Sequence, residues 1–144
     1  MNQKNATVLY VDGNPKAQRL GDVLTACGFR VITASDSLEA RASWKRLRFD
    51  LALPDYRMPF LRGSQLAQEI KSSAPNVPIV LISGYTALAA AELLFVDAHF
   101  GHDTVLGDLV GTMWSLVRGN RRAQAIGEPR KFGRMQREYQ SPAR

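Results

Sequence analysis

The sequence predicts an α/β fold, a five-stranded parallel sheet covered by helices on both faces. Three features of the 144-residue chain carry this expectation. Short apolar runs rich in Val, Ile and Leu alternate, five times over, with stretches of helical period. Gly, Pro, Asn and Asp punctuate the changes. Parallel neighbours need crossover connections, and the helical stretches supply them.

Residues 7–11 form an unbroken apolar run with β-branched members, the pattern of a strand buried on both faces. Asp12-Gly13-Asn14-Pro15 is a turn, and Pro15 suits the first turn of a helix. Ala17, Leu20, Val23, Leu24 and Cys27 recur at helical spacing and mark one face, which Gly28 ends. Residues 30–34 are a second strand. Asp36 or Ser37 can cap a second helix, on which Ala40, Trp44 and Leu47 share a side. A third strand, 49–53, runs into Pro54-Asp55. Proline donates no ladder hydrogen bond, so the strand should end there with altered pairing. A third helix follows Gly63 and turns Leu66, Ala67 and Ile70 inward. Asn76-Val77-Pro78 leads into a fourth strand, 79–82, closed by Ser83-Gly84-Tyr85. Residues 87–94 read as a fourth helix and 96–100 as a weak fifth strand. Leu109, Val110, Met113, Trp114 and Val117 stripe a fifth helix. Trp44, Met113 and Trp114 are expected in the core.

Composition narrows the class. With 45% apolar and 22% charged residues the chain is globular rather than disordered. No apolar run approaches the roughly 18 residues of a membrane span. The N-terminus lacks a basic region followed by an apolar stretch, so no signal peptide is expected. Cys27 is the single cysteine and can form no internal disulfide. A cytoplasmic location follows as the expectation. The net charge of +6 is confined to one end, because residues 118–144 hold eight Lys or Arg against two Glu. The remainder is balanced, so nucleic-acid binding is expected only if the basic tail provides it.

In a doubly wound sheet, ligands bind beyond the carboxyl ends of the strands, where strand order reverses. Asp12, Asp55, Ser83 and His102 end strands one, three, four and five. With strand order 2-1-3-4-5, strands one and three are neighbours and Asp12 and Asp55 converge. Two adjacent carboxylates raise each other's pKa, whereas a divalent cation keeps both ionised. Oxygen ligands at a wet rim suit Mg²⁺. Such a site can hold a phosphoryl group and deliver it to a carboxylate nucleophile. Taken singly, each Asp reads as a helix cap or turn former. Their recurrence at the same end of successive strands carries the functional reading.

Three segments now take on a shared meaning: Val8-Leu9-Tyr10-Val11-Asp12; residues 49–59, FDLALPDYRMP, with Gly63; and residues 78–85, PIVLISGY. In order and spacing they resemble the motifs of CheY-like response-regulator receiver domains, and Asp-x-x-Met-Pro is the most specific of them. The resemblance covers about residues 6–118. It implies a flavodoxin-like sheet of order 2-1-3-4-5 with five helices and a receiver domain over 6–118. Beyond Arg118 the periodicity is lost and Gly, Pro, Gln and Arg accumulate, so 119–144 reads as a basic, flexible tail, with a helical continuation allowed at its start. The resemblance also implies that Asp55 is the phosphoacceptor and that Asp12, Asp55 and the backbone carbonyl of Arg57 hold Mg²⁺. Ser83 would be the hydroxyl that moves onto the phosphoryl group. The chain would then be a stand-alone receiver of a two-component phosphorelay, and not an enzyme. Its partners would be a sensor histidine kinase or phosphotransfer protein and an unidentified downstream protein, with no membrane; a homodimer is allowed.

The chain departs from the family pattern near the site. The second of two usual acids is Gly13, so Mg²⁺ is expected to bind weakly. The usual Lys-Pro pair after strand five falls on His102 and Asp103, and the aromatic switch position falls on His99. A non-proline cis bond costs about 2.5–4 kcal/mol, so the peptide before Asp103 should be trans. His102 could replace the lysine, since nearby carboxylate or phosphate favours a charged imidazole, or it could be an ordinary loop histidine. Arg57 is the other candidate cation, or else a solvated loop residue. Tyr85 is either a loop aromatic or the side chain that takes over signalling from His99. These departures support an alternative, a pseudo-receiver: an interaction module with impaired or lost phosphorylation. A Mg²⁺-dependent phosphohydrolase could use the same carboxylates, but no second acid is arranged near Asp55 for acid–base work.

Overall fold

The structure is a computed structural model and describes residues 5–14, 17–58, 61–84 and 88–125. Chain order is β1 (Ala6–Val11), α1 (Ala17–Ala26), β2 (Phe29–Ala34), α2 (Ser37–Arg46), β3 (Leu51–Pro54) and α3 (Gly63–Ser73). Then come β4 (Val80–Ser83), a 3₁₀ turn (Ala90–Leu93), β5 (Ala98–Gly101) and α4 (Leu106–Ala125).

Every strand pairing is parallel. β1 lies between β2 and β3, and β4 pairs with β5. Bridges Ala52–Ile79 and Asp55–Ile82 join β3 to β4, completing the order β2-β1-β3-β4-β5. The β3–β4 ladder is broken in the middle, and Pro54 is the reason. Ala52 N–H donates to the Pro78 carbonyl and Tyr56 N–H to that of Ile82. The residue between them that faces the same way is Pro54, which has no N–H to give.

Alternation along the strands builds two cores. Val8, Tyr10, Leu53 and Ile82 face α1 and α4, where Leu24, Met113 and Leu116 cover them. On that side Phe29 stacks on Trp114 with ring centroids 4.4 Å apart. Leu9, Val11, Ala52 and Leu81 face the other way, under Ala40, Leu66, Ala67 and Ile70 of α2 and α3, with Trp44 packed against them. Each fully buried Leu or Ile contributes about 1.5–3 kcal/mol.

The local stop and start signals act as their chemistry requires. Gly28 ends α1 with φ 101°, a left-handed conformation that glycine adopts without steric cost. The Asp36 side chain caps α2 by accepting from the Glu39 N–H at 2.8 Å. The peptide before Asp103 is trans, as no cis bond occurs among the described residues.

Other expectations need correction. Leu47 does not share the inner side of α2: the helix ends at Arg46 and Leu47 is 44% exposed. The fourth helix expected over 87–94 is, among the described residues, only the 3₁₀ turn Ala90–Leu93. Leu93 is its one buried residue, and Leu94 is exposed. A single buried anchor does not offset the cost of nucleating an α-helix. Residues 96 and 97 are not part of β5. Val96 is buried beneath the sheet and Asp97 is committed to an ion pair. The last helix runs past Arg118 to Ala125, the helical continuation that the start of the tail allowed. Asn120 is buried on it, and Arg121 donates to the Asn5 carbonyl and pairs with Asp50. Tail residues 126–144 lie outside the described residues. No helix among the described residues is long and apolar enough to cross a membrane.

Candidate functional site

The carboxyl ends of β1, β3 and β5 open into a cleft of about 710 Å³. Asp12, Gly13, Asn14, Asp55, Arg57, His102 and Thr104 form its polar part, and Ala17, Leu20, Leu106 and Leu109 its apolar part. Adjacent pairing of β1 and β3, with Val11 opposite Pro54, brings Asp12 and Asp55 to the same rim.

Asp55 is 6% exposed and held from several directions. Its own N–H donates to the Val11 carbonyl at 2.8 Å. Its Oδ2 accepts from the Arg57 N–H at 3.2 Å, and its Oδ1 lies 2.7 Å from His102 Nε2. With Asp55 ionised the carboxylate only accepts, and the hydrogen of this contact is then on Nε2. Burial pushes the Asp55 pKa up and the Asp12 charge adds to the rise, while the contacts from His102 and the Arg57 N–H oppose it. Gly63 makes the approach of α3 possible. A β-carbon there would collide with the Asp55 carbonyl oxygen and come within 2.7 Å of Leu81 Cδ1.

Asp12 is held at both oxygens. Oδ1 accepts from the Asn14 N–H at 2.9 Å and Oδ2 from the Tyr10 hydroxyl at 3.0 Å. Burial first, and then the neighbouring Asp12, drives the Tyr10 phenol far above its ordinary pKa, so it stays a donor. Tyr10 reads in the sequence as a core residue of the first strand. Its spacing of two from Asp12 was the available signal, since residues i and i+2 share a strand face.

Asp12, Asp55, Arg57 and His102 are thus brought into one cleft, with His102 in direct contact with Asp55. A β-carbon at Gly84 would sit 3.4 Å from His102 Nδ1, so its absence leaves room for the imidazole. Ser83 is buried at the end of β4 and is not among the residues lining the cleft; its carbonyl accepts from the His102 N–H at 3.1 Å. His99 is half-buried with its ring Nε2 unpaired among the described residues, and burial lowers its pKa. Pro59 and Tyr85 lie outside the described residues.

The donors fit a hard cation. Mg²⁺ is commonly held by one or two carboxylates and keeps several waters. Two carboxylates at an open, wet cleft supply that need, although no group of three His, Cys, Asp or Glu suited to a metal occurs among the described residues.

Comparison with known proteins agrees with the fold. The profile of the response regulator receiver domain matches residues 8–100. The hydrogenase transcriptional regulatory protein HoxA of Cupriavidus necator is 38% identical over 86 residues, 60% of this chain and 18% of that protein. The transcriptional regulatory protein GlrR of Escherichia coli is 33% identical over 92 residues, 63% of this chain and 21% of that protein. This chain therefore spans only a minor part of the length of these relatives. Among solved structures, response regulator TrrA of Thermotoga maritima, in complex with Mg²⁺–BeF, superposes with a TM-score of 0.73 at 23% identity over 77% of this chain and 98% of that one. The receiver domain of the sensor histidine kinase PA1611 of Pseudomonas aeruginosa, with magnesium in its active-site cleft, gives 0.72 at 24% identity over 79% and 98%. Receiver domains bind Mg²⁺ in their active site, interact with histidine kinases or phosphotransfer proteins, and are in general signalling domains. With a parallel sheet of order β2-β1-β3-β4-β5, Asp12 and Asp55 at one rim and the profile match over most of the fold, this chain belongs to the response regulator receiver family, whose general function is phosphorylation-based switching in two-component systems.

Proposed function

We propose that Asp55 accepts a phosphoryl group from a histidine kinase or phosphotransfer protein and that the modified site switches an interaction with a downstream protein. The observation that carries this reading is the convergence of Asp12 and Asp55 at the ends of paired strands, with the Asp55 carboxylate held in the cleft. A carboxylate oxygen of Asp55 attacks phosphorus; the P–O bond forms as the bond to the donor's nitrogen breaks, leaving an acyl phosphate on Asp55 and the imidazole on the donor. Asp12, Asp55 and the Arg57 backbone carbonyl would hold Mg²⁺, weakly because Gly13 replaces a second acid. Bound Mg²⁺ supplies positive charge against the phosphoryl oxygens. His102 Nε2–H, now on Asp55, would turn to the phosphoryl group, with Arg57 as the competing cation. Ser83, beside His102 on β4, is the switch hydroxyl in this reading, and the added charge biases the loop after β4.

The test is incubation with a small phosphodonor and Mg²⁺, with added phosphate read by intact mass. Wild type should gain one base-labile phosphate and Asp55→Asn none. Undiminished labelling of Asp55→Asn would move the acceptor elsewhere. A wild type that takes no phosphate would favour the pseudo-receiver.

A further inference from the structure

Building on the phosphoacceptor reading above, we propose that Tyr10 is a positioning residue, whose hydroxyl holds the Asp12 carboxylate in the orientation that serves a divalent cation. Tyr10 and Asp12 share a face of β1, and the phenol reaches from the core to the cleft, where it is itself a lining residue. The ring is 3% exposed and lies against α1 at Gly21, where an added β-carbon would stand 3.9 Å from Tyr10 Cδ2. A ring so enclosed has little freedom, and its oxygen is delivered to one place.

The consequence for Asp12 is geometric. The Tyr10 hydroxyl tethers Oδ2 at 3.0 Å and the Asn14 N–H tethers Oδ1 at 2.9 Å, which together arrest rotation of the carboxylate. Each oxygen accepts along more than one direction, so a tethered oxygen still has capacity for a cation or for its water. Such prior ordering matters more here because Gly13 provides no neighbouring carboxylate to compensate for a misplaced Asp12. An apolar residue would fill the same core position equally well; only the hydroxyl connects it to the cleft.

The experiment is a Mg²⁺ titration of the full chain, followed by NMR at the Gly13, Asn14 and Arg57 amides, in wild type, Tyr10→Phe, Asp12→Asn and the double variant. Phe retains the ring and its packing. Loss of one hydrogen bond to a charged group should weaken Mg²⁺ binding by about threefold to tenfold in Tyr10→Phe. In the Asp12→Asn background the same change should have no further effect. Equal or tighter binding by Tyr10→Phe, or the same loss in both backgrounds, overturns the proposal, as does a wild type with no response to Mg²⁺. Phosphate incorporation is scored separately on the same samples. Tyr10-dependent binding in a wild type that never takes phosphate would uphold the positioning role and sink the phosphoacceptor reading.

Discussion

His102 Nε2, at the end of β5, lies 2.7 Å from Oδ1 of Asp55, at the end of β3. The two side chains differ sharply in freedom: that of His102 is 56% exposed and that of Asp55 8%. The imidazole can therefore withdraw as a phosphoryl group arrives, while Asp55 stays in place. A charge-assisted hydrogen bond of this kind supports a loss of about tenfold in beryllofluoride affinity for His102→Ala. His102→Lys should retain binding. Binding unaffected in His102→Ala but damaged in Arg57→Ala would assign the cation to Arg57.

Asp55 also has a stability signature. Its folded-state pKa is raised above the ordinary 3.8, chiefly by burial. The folded state therefore holds its proton more tightly than the unfolded chain. Below 3.8 the ionisation cost is absent; as pH rises through the folded-state value the cost appears in full. Metal-free Asp55→Asn should melt a few degrees above wild type at pH 7, and the gap should close as pH falls to 3.8 and below. A gap that widens in acid would contradict the raised pKa.

Gly13→Asp restores the missing acid and should tighten Mg²⁺ binding severalfold. Gly28 is the one positive-φ glycine among the described residues, so backbone strain is no obstacle at position 13. Unchanged or weaker metal affinity in a folded variant would mean that the missing acid at position 13 does not limit metal binding.

A buried ion pair ties α3 to the strands it crosses. Asp97 Oδ2 accepts from Lys71 Nζ at 3.0 Å and from the Ile79 N–H at 2.8 Å, and Lys71 also donates to the Val77 carbonyl. Asp97→Ala leaves a buried ammonium and a buried N–H behind. Urea unfolding should show a loss of about 3–5 kcal/mol. A loss below about 1 kcal/mol, the range of surface pairs, would mean that water reaches Lys71.

Truncation after Arg118 should lower the urea midpoint, because it removes buried Asn120 and the Arg121 contacts to Asn5 and Asp50. Arg121→Ala alone should cost at most about 1 kcal/mol, its pair with Asp50 being partly exposed. An unchanged midpoint after truncation would mean that residues beyond Arg118 add nothing to the stability of the domain.

Much of this architecture was legible along the chain. Strand interiors are continuous apolar runs, so β1 through β4 and the inward faces of α1 and α3 follow from local pattern. Asp12 and Asp55 could be named because each ends such a run, and neighbouring strands in a doubly wound sheet must present their ends together. The interrupted β3–β4 ladder was visible in Pro54, which lacks the donor whatever surrounds it. Contacts between residues distant in sequence were a different matter. His102 could be a free loop residue or a partner of Asp55, and only the pairing of β4 with β5, which carries it to the Ser83 carbonyl, decided this. The Lys71–Asp97 pair left no periodic trace, since a charge is buried only where folding brings it a partner. The expected helix over 87–94 had a suitable composition but only Leu93 as an anchor, and that depended on how little core the sheet left exposed there. Tyr10 was legible as a core residue, and its spacing of two from Asp12 along one strand face was the local signal of the hydroxyl contact between them. Local pattern determines which elements form because periodicity and backbone chemistry act over a few residues; the contacts of His102 with Asp55 and Ser83 needed the folded sheet to bring partners distant in sequence together.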